Sequence, residues 1–455
     1  MGSLFASLTN SANALKAFED GLTVVQNNVT NATTPGYVEQ TQVLEADPLN
    51  LSLGLTGGVS AGPVVSSRDL YAEESVRQQQ TALGLYSQKV SDLTPLQSFF
   101  DLSSTSGLAP SMDALFSSFS QLSVNPNDTV SRQDVLNKAA TVAQQFNSAA
   151  SGLLGQTSNL DEQTRSIIEN VNQLAATIAQ VNSSGRVDAD GTVNAGVDAQ
   201  LNSSLEQLSQ FVNFTTLQQP DGTVSVLVGG QTPLVVGDQS YAIQGDFSTP
   251  QTAILSSTGA DITDQITGGQ LSGVVDDNNN VIPSYVTDLN TLAQSFADQV
   301  NTTLDNGIDQ NGAAPTTDLF TYDPVQGAAL TLAVNPLTTD QIAAALPGAA
   351  GGNGNALAVA QLANATGVNG YTFDEFYGNL GGRVGNDVAT ATDSQTTKQN
   401  LLSQAQTLRQ QVSGVSLDTE AEKLLAFQKS YEATSKMFTV LNELTETLMG
   451  IIPTS

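Results

Sequence analysis

The sequence predicts a mainly α-helical protein with an inserted β-rich domain: paired N- and C-terminal coiled-coil helices, a long helical bundle, and domains that are discontinuous along the chain. Three observations carry this. Apolar residues recur on a heptad at both chain ends, and the same three-and-four spacing runs through the segments flanking the middle. The middle itself changes to alternation every second residue.

The first element is read from Leu4, Leu8, Ser11, Leu15, Phe18, Leu22, Val25, Val29 and Ala32, where steps of four and three alternate and only Ser11 is polar. Such spacing lays one narrow apolar seam along a helix of about 43 Å at 1.5 Å per residue. It stops at Asn31-Ala32-Thr33-Thr34-Pro35-Gly36-Tyr37, because Pro35 disfavours helix at Thr34 and Gly36 permits a turn. A Gly/Ser-rich, strand-like stretch over residues 49–65 follows. Helix returns near Tyr71 with Val76, Leu83, Tyr86, Val90 and Leu93, then over residues 111–122 and 128–181. In the last of these Val135, Val142, Phe146, Leu153, Leu160, Ile167, Val171, Ile178 and Val181 keep the helical period.

Beyond it, Asp221-Gly222 signals a turn, and Thr223 to Val228 alternate before Leu234-Val235-Val236-Gly237. One helical patch, residues 285–304, interrupts this region. Helix resumes over residues 373–412, and the chain closes on Leu424, Phe427, Tyr431, Thr434, Phe438, Leu441, Thr445, Leu448 and Ile452, a second heptad seam that Thr419 and Glu422 are expected to cap. Two seam-bearing ends of one chain most simply pair with each other. The resulting division is a terminal coiled-coil core domain (residues 1–48 and 417–455), a helical bundle domain (49–218 and 366–416) and an inserted β-rich outer domain (219–365).

Charge supports that division. The 455 residues carry 14 Lys and Arg against 44 Asp and Glu, a net −30. The 196 residues between Arg186 and Arg383 hold no basic side chain and 20 acidic ones. So acidic a surface gives nucleic acid or anionic membrane nothing to bind, since phosphate neutralisation needs Lys and Arg. His, Cys and Trp are absent, which removes His- and Cys-based nucleophilic catalysis, Cys/His zinc sites and disulfides. No apolar run approaches the roughly 18 residues a membrane span needs, and Met1 to Ala6 show no basic, apolar leader. The expectation is a soluble, acidic, non-enzymatic protein without a cofactor and with no visible Sec signal.

Asn27-Asn28-Val29-Thr30-Asn31-Ala32-Thr33-Thr34-Pro35-Gly36-Tyr37 resembles the signature shared by rod, hook and junction subunits of the flagellar axial protein family. Gly414-Val415-Ser416-Leu417-Asp418, with Glu420-Ala421, Leu424-Leu425, Phe427-Gln428 and Tyr431, is similar to that family's terminal helix. Within the family, Asn125-Pro126-Asn127-Asp128, Arg132, Leu136 and Phe146 on a long helix, and Gly268-Gly269-Gln270-Leu271-Ser272-Gly273, resemble the first hook–filament junction proteins. Two positions depart from the pattern. Ala199-Gln200-Leu201-Asn202 stands where an Asp-x-Arg-Asp cluster is common, and Asp276-Asp277 where an Arg is usual.

The resemblance implies a structural subunit of the bacterial flagellum that joins hook to filament, is needed for filament assembly and motility, and leaves the cell by type III export. It implies as partners a ring of its own copies, hook protein, the second junction protein (hook-associated protein 3) and a flagellar export chaperone. The assembly seams it implies are Leu4, Leu8, Leu15, Phe18, Leu22, Val25 and Val29 at one end, and Leu424, Phe427, Tyr431, Phe438, Leu441, Leu448 and Ile452 at the other. The turn motif is Asn31, Thr34, Pro35, Gly36 and Tyr37. The alternatives are a hook or other axial subunit, which a mostly β interior would favour, and a secreted calcium-dependent adhesin. For calcium, Asp188-x-Asp190-Gly191 and Asp305-Asn306-Gly307 with Asp309 are only loop fragments, without the twelfth-position Glu. Gly351-Gly352-Asn353-Gly354-Asn355 lacks the Lys of a phosphate loop.

Overall fold

A computed structural model describes residues 2–50, 55–100, 107–184, 194–219 and 222–451. The chain ends form one unit. Helix α1 (Gly2–Asn31) packs against α11 (Leu417–Ile451), and an antiparallel hairpin of β1 (Gln40–Asn50) and β2 (Leu55–Ser66) lies along α1. A register shift between Gln42 and Leu44 marks a bulge in the hairpin, which bends and twists the strand locally.

Below it stands the bundle. Helix α2 (Leu70–Leu93) runs beside α10 (Phe373–Ser413), and α3 (Leu108–Val124) and α5 (Ala195–Phe211) pack on α4 (Thr129–Ser183). The starts are capped in the ordinary way: Asp69, Asp128 and Asn194 each accept from a backbone N–H three residues on, and Thr372 with Glu375 makes a capping box. At 55 residues α4 is roughly 80 Å long. Its inward row of Val135, Val142, Phe146, Leu153, Leu160, Val171 and Ile178 is fully buried.

The middle begins with a small sheet in the order β3–β4–β5–β6 (Phe214–Gln218, Val224–Val228, Thr232–Val236, Gln239–Ser240) and a pair, β7–β8 (Gln244–Asp246, Ala253–Leu255). Helix α6 (Gly269–Asp276) then runs through a π turn (Asp277–Val281) into α7 (Ile282–Asp305). Short elements complete it: the pair β9 (Phe320–Thr321) and β10 (Ala333–Val334), with α8 (Ala328–Thr331) and α9 (Gly354–Gln361).

The helical patch expected inside an outer module has a different place. Tyr285, Leu289, Leu292, Phe296 and Val300 of α7 are buried in the same continuous core as Phe116, Phe146 and Phe373 of the bundle, and Val226, Val228 and Leu234 of the small sheet join that core. The ring of Phe296 lies 5.6 Å from Phe116, 6.0 Å from Phe146, 5.6 Å from Phe320 and 5.2 Å from Phe373. The apolar face of α7 is covered by the bundle helices α4 and α10 together with α8, α9 and β9 of the middle. The core therefore draws no line at residue 219 or 365. Phe296→Ala should cost roughly 3–5 kcal/mol and lower the unfolding midpoint of the bundle and the sheet together in one denaturant transition. A separate, unaffected transition for the sheet would contradict the shared core.

Candidate functional site

The site is the terminal pair and the neck that joins it to the bundle. Along α1, Ser11, Ala17, Val25 and Asn28 are buried, and along α11, Glu420 and Thr445. Gly21 lets the helices close: a Cβ there would stand 2.7 Å from the Phe427 ring. Of the expected seam, Val25 is buried and Leu4, Leu8, Leu15, Phe18 and Leu22 are half-buried, as are Leu424, Phe427, Phe438 and Leu441. Val29, Tyr431 and Leu448 are exposed at 47, 38 and 45 %; Ile452 lies outside the described residues. The correction at Val29 has a plain cause, because Asn28 takes the inward position one residue earlier. On α11 an uncovered flank of Met437, Val440, Leu444 and Leu448 remains, and Leu425 and Met449 are exposed on other sides.

Asn28 is the centre of a buried polar knot. Its Nδ2 donates to the Gln40 carbonyl at 2.8 Å and to Glu420 Oε2 at 2.9 Å. Its Oδ1 accepts from the Gln40 N–H and from the Tyr37 hydroxyl, both at 2.9 Å. Lys423 donates to Glu420 at 2.8 Å and also to Glu39. One side chain thus ties α1, α11 and the start of β1. Burial, with the Glu420 carboxylate nearby, pushes the Tyr37 phenol up to about 12, so it stays a donor at any working pH.

The turn motif feeds a second lock. Thr34 N–H donates to the Asn31 carbonyl and Tyr37 N–H to the Thr34 carbonyl, with Pro35 and Gly36 at the bend. Gly36 has φ +76°, and a methyl there would collide with the Ala199 carbonyl oxygen of α5, so no other residue fits. The Gly36 carbonyl accepts from Arg68 Nη2 at 2.6 Å, while Arg68 also pairs with Glu73 at 2.5 Å and Asp198 at 2.8 Å. Arg409 of α10 then joins Glu73 at 3.1 Å to Glu206 of α5 at 2.7 Å. At the same level Ser413 clasps the crossing chains: its carbonyl accepts from the Glu39 N–H at 3.0 Å, and its hydroxyl donates to the Ser67 carbonyl at 2.9 Å and accepts from the Asp69 N–H at 3.0 Å.

Sequence reasoning quoted Asn28 and Glu420 only as parts of motifs and missed Glu39, Arg68, Glu73, Asp198 and Ser413. A signal existed in one case, since Asn28 sits polar beside an apolar heptad position. The α11 cap also differs: the helix opens before Thr419, whose N–H donates to Ser416 Oγ at 3.4 Å. A cleft of about 840 Å³ between the turn and α4/α5 is walled by side chains such as Asn27, Asn31, Asn170, Gln173 and Gln200, with no acid or cation among its lining. The Asp309 carboxylate is taken by the N–H groups of Asn311 and Ala313, both at 2.8 Å, and Asp188 and Asp190 lie outside the described residues. Among the described residues no helix is long and apolar enough to cross a membrane.

Residues 93–320 match the family described as flagellar hook-associated protein FlgK helical domain, and residues 409–451 match the flagellar basal body rod FlgEFG protein C-terminal family. Flagellar hook-associated protein 1 of Bacillus subtilis (strain 168) is 26 % identical over 502 aligned positions, covering 99 % of both chains. Its namesake from Escherichia coli (strain K12) is 23 % identical, over 98 % of this chain and 99 % of that one. In fold, the flagellar hook junction protein FlgK from Burkholderia pseudomallei superposes with a TM-score of 0.66 at 16 % identity, over 74 % of this chain and 99 % of that one.

Asn28→Ala should orphan the Gln40 N–H and one Glu420 oxygen, costing about 1–3 kcal/mol, and should speed hydrogen exchange in residues 20–28 and 418–427 while sparing the bundle. Arg68→Met removes the cation bridging buried Glu73 and Asp198, with Glu73 keeping only Arg409, and should cost roughly 3–5 kcal/mol, read from the denaturant midpoint.

Proposed function

The chain belongs to the flagellar hook-associated protein FlgK family, structural proteins of the hook–filament junction of the bacterial flagellum, and from that premise we propose that its terminal helix pair is the surface through which its copies assemble. The observation that supports this is the uncovered flank of α11, where Met437, Val440, Leu444 and Leu448, spaced by three and four, stay exposed although α1 is already in place. An apolar stripe left open beside a completed helix pair fits a further helix, as in coiled coils of more than two strands. In this reading the two seams together make the tubular core, each subunit contributing residues 1–48 and 417–455. The bundle of residues 49–218 and 366–416, with the middle of residues 219–365 docked on it, stands outside that tube as a stiff arm.

The partners that follow are neighbouring copies in a ring, hook protein on one side and the second junction protein, hook-associated protein 3, on the other. Before export the same apolar flank needs a cover, which fits a flagellar export chaperone and a type III route to the cell exterior. The work is mechanical. The neck transmits load from tube to arm, and no step requires a catalytic group or cofactor.

Leu444→Ala with Leu448→Ala should leave the bundle folded, with unchanged melting of the bundle core, and should block incorporation. A strain carrying only that variant should show bare hooks by electron microscopy, with filament protein shed into the medium. Normal filaments on such a strain would remove the flank as the assembly contact.

A further inference from the structure

One buried group inside the bundle has no role in the junction as described. Asp277, the first residue of the π turn, is completely buried, and while its Oδ1 accepts from Lys89 at 3.1 Å its Oδ2 has no hydrogen-bond partner among the described residues. Asn278 Oδ1 beside it is likewise buried and unpartnered. Asp92, one turn beyond Lys89 on α2, is also completely buried, its carboxylate held by Gln88 at 2.8 and 3.0 Å. The charged and titratable groups facing Asp277 are Lys89 and Asp92 on α2, Asp276 next to it, and Tyr285 on α7. The Tyr285 hydroxyl donates to Asp387 of α10, whose Arg383 lies 5.3 Å from the Tyr285 ring, and Asp161 of α4 is reached through Asn278 at 3.1 Å.

An acceptor oxygen sealed from water without a donor is costly, and a proton on it removes the cost. Among the described residues Lys89 is the cation that stands against the three neighbouring carboxylates of Asp92, Asp276 and Asp277. Asp276 takes its share at 2.5 Å from the more exposed side. We propose that the Lys89–Asp92–Asp277 cluster is a proton-binding device: with Asp277 protonated the contact between α2 and α6 is closed, and loss of that proton loosens it at the π turn. The π turn is where the slack exists, since it holds an extra residue in one helical turn. Helix α2 carries the change toward the neck, because it begins at Asp69 and Glu73 beside Arg68 and Ser413.

Electrostatics agree. Burial pushes Asp277 up to about 7 against the pull of Lys89, and burial pushes Asp92 up to about 6. Both are raised above the ordinary carboxylate value of about 4, so the folded chain holds protons that the unfolded chain has released. The stability they supply is complete below about pH 4 and is lost as pH rises toward about 7.

The test uses the full chain with its Asp carboxyl carbons labelled. One Asp carboxyl should titrate near pH 7, and that signal should be missing in Asp277→Asn, which keeps shape and an acceptor for Lys89. Amides of residues 85–92 and 269–281 should exchange several-fold faster at about pH 8 than at about pH 6, corrected for intrinsic rates, and Asp277→Asn should abolish the difference. Asp276→Asn should keep the titration but move it downward, since a like charge is gone and Lys89 is left to Asp277. No Asp carboxyl titrating near pH 7, above the Asp92 signal at about 6, or the same acceleration in Asp277→Asn, overturns the proposal. The wild-type titration decides it even if that variant folds poorly.

Discussion

Three chain segments pass through one narrow level: residues 37–39 leaving α1, residues 66–69 entering α2, and residues 413–416 between α10 and α11. Backbone at a crossing cannot pair with a helix or a sheet, so its polar groups must be met by side chains or left to water. Ser413 meets them from the bundle side and Asn28 from the terminal side, with Arg68 between. Everything above the neck takes its orientation from this crossing. The apolar contact of α1 with α11 is thin, with Ala17, Gly21 and Val25 as its most buried positions on α1. Apolar contact of that kind has no direction, whereas four hydrogen bonds on one amide do.

The neck also explains how 14 cations serve 44 acids. Arg68, Arg409 and Lys423 are spent there, each between two carboxylates. Others are spent where the acidic middle meets the bundle. Lys89 takes Asp276 and Asp277, Arg383 takes Asp288, Arg132 donates to the carbonyls of Thr339 and Ile342, and Arg165 lies 3.8 Å over the Phe247 ring. The absence of basic residues between Arg186 and Arg383 therefore does not mark an independent module. It marks the acidic half of an electrostatic docking whose basic half is on the flanking helices.

That is where sequence reading reaches its limit. The helices were legible because each has a solvent face, so its apolar residues recur at three and four, as at Val135, Val142, Phe146 and Leu153. The small sheet was legible from alternation at Val224, Val226 and Val228, all buried. The place of α7 was not, because periodicity says that a helix has an apolar face and never which element covers it. Nor was the departure at Asp276-Asp277 readable as an ion pair, since its partner Lys89 lies 187 residues away. The site was half legible for the same reason. A heptad predicts a seam, but Asn28 wins the inward position from Val29 through a bond to Glu420, 392 residues distant.

The same charge arithmetic bears on which surface can hold copies together. With a net −30 per chain and the docking cations already committed, outward faces of the middle and bundle repel their counterparts, though salt limits that repulsion to about 8 Å. Attraction has to come from apolar area, and a fully buried Leu, Val or Met side chain is worth about 1.5–3 kcal/mol. Finishing the burial of the four half-exposed side chains on the α11 flank then contributes on the order of 4 kcal/mol per subunit. Single contacts of that size are weak, but a closed ring makes them in every subunit at once. An assembly driven this way is strong only when complete.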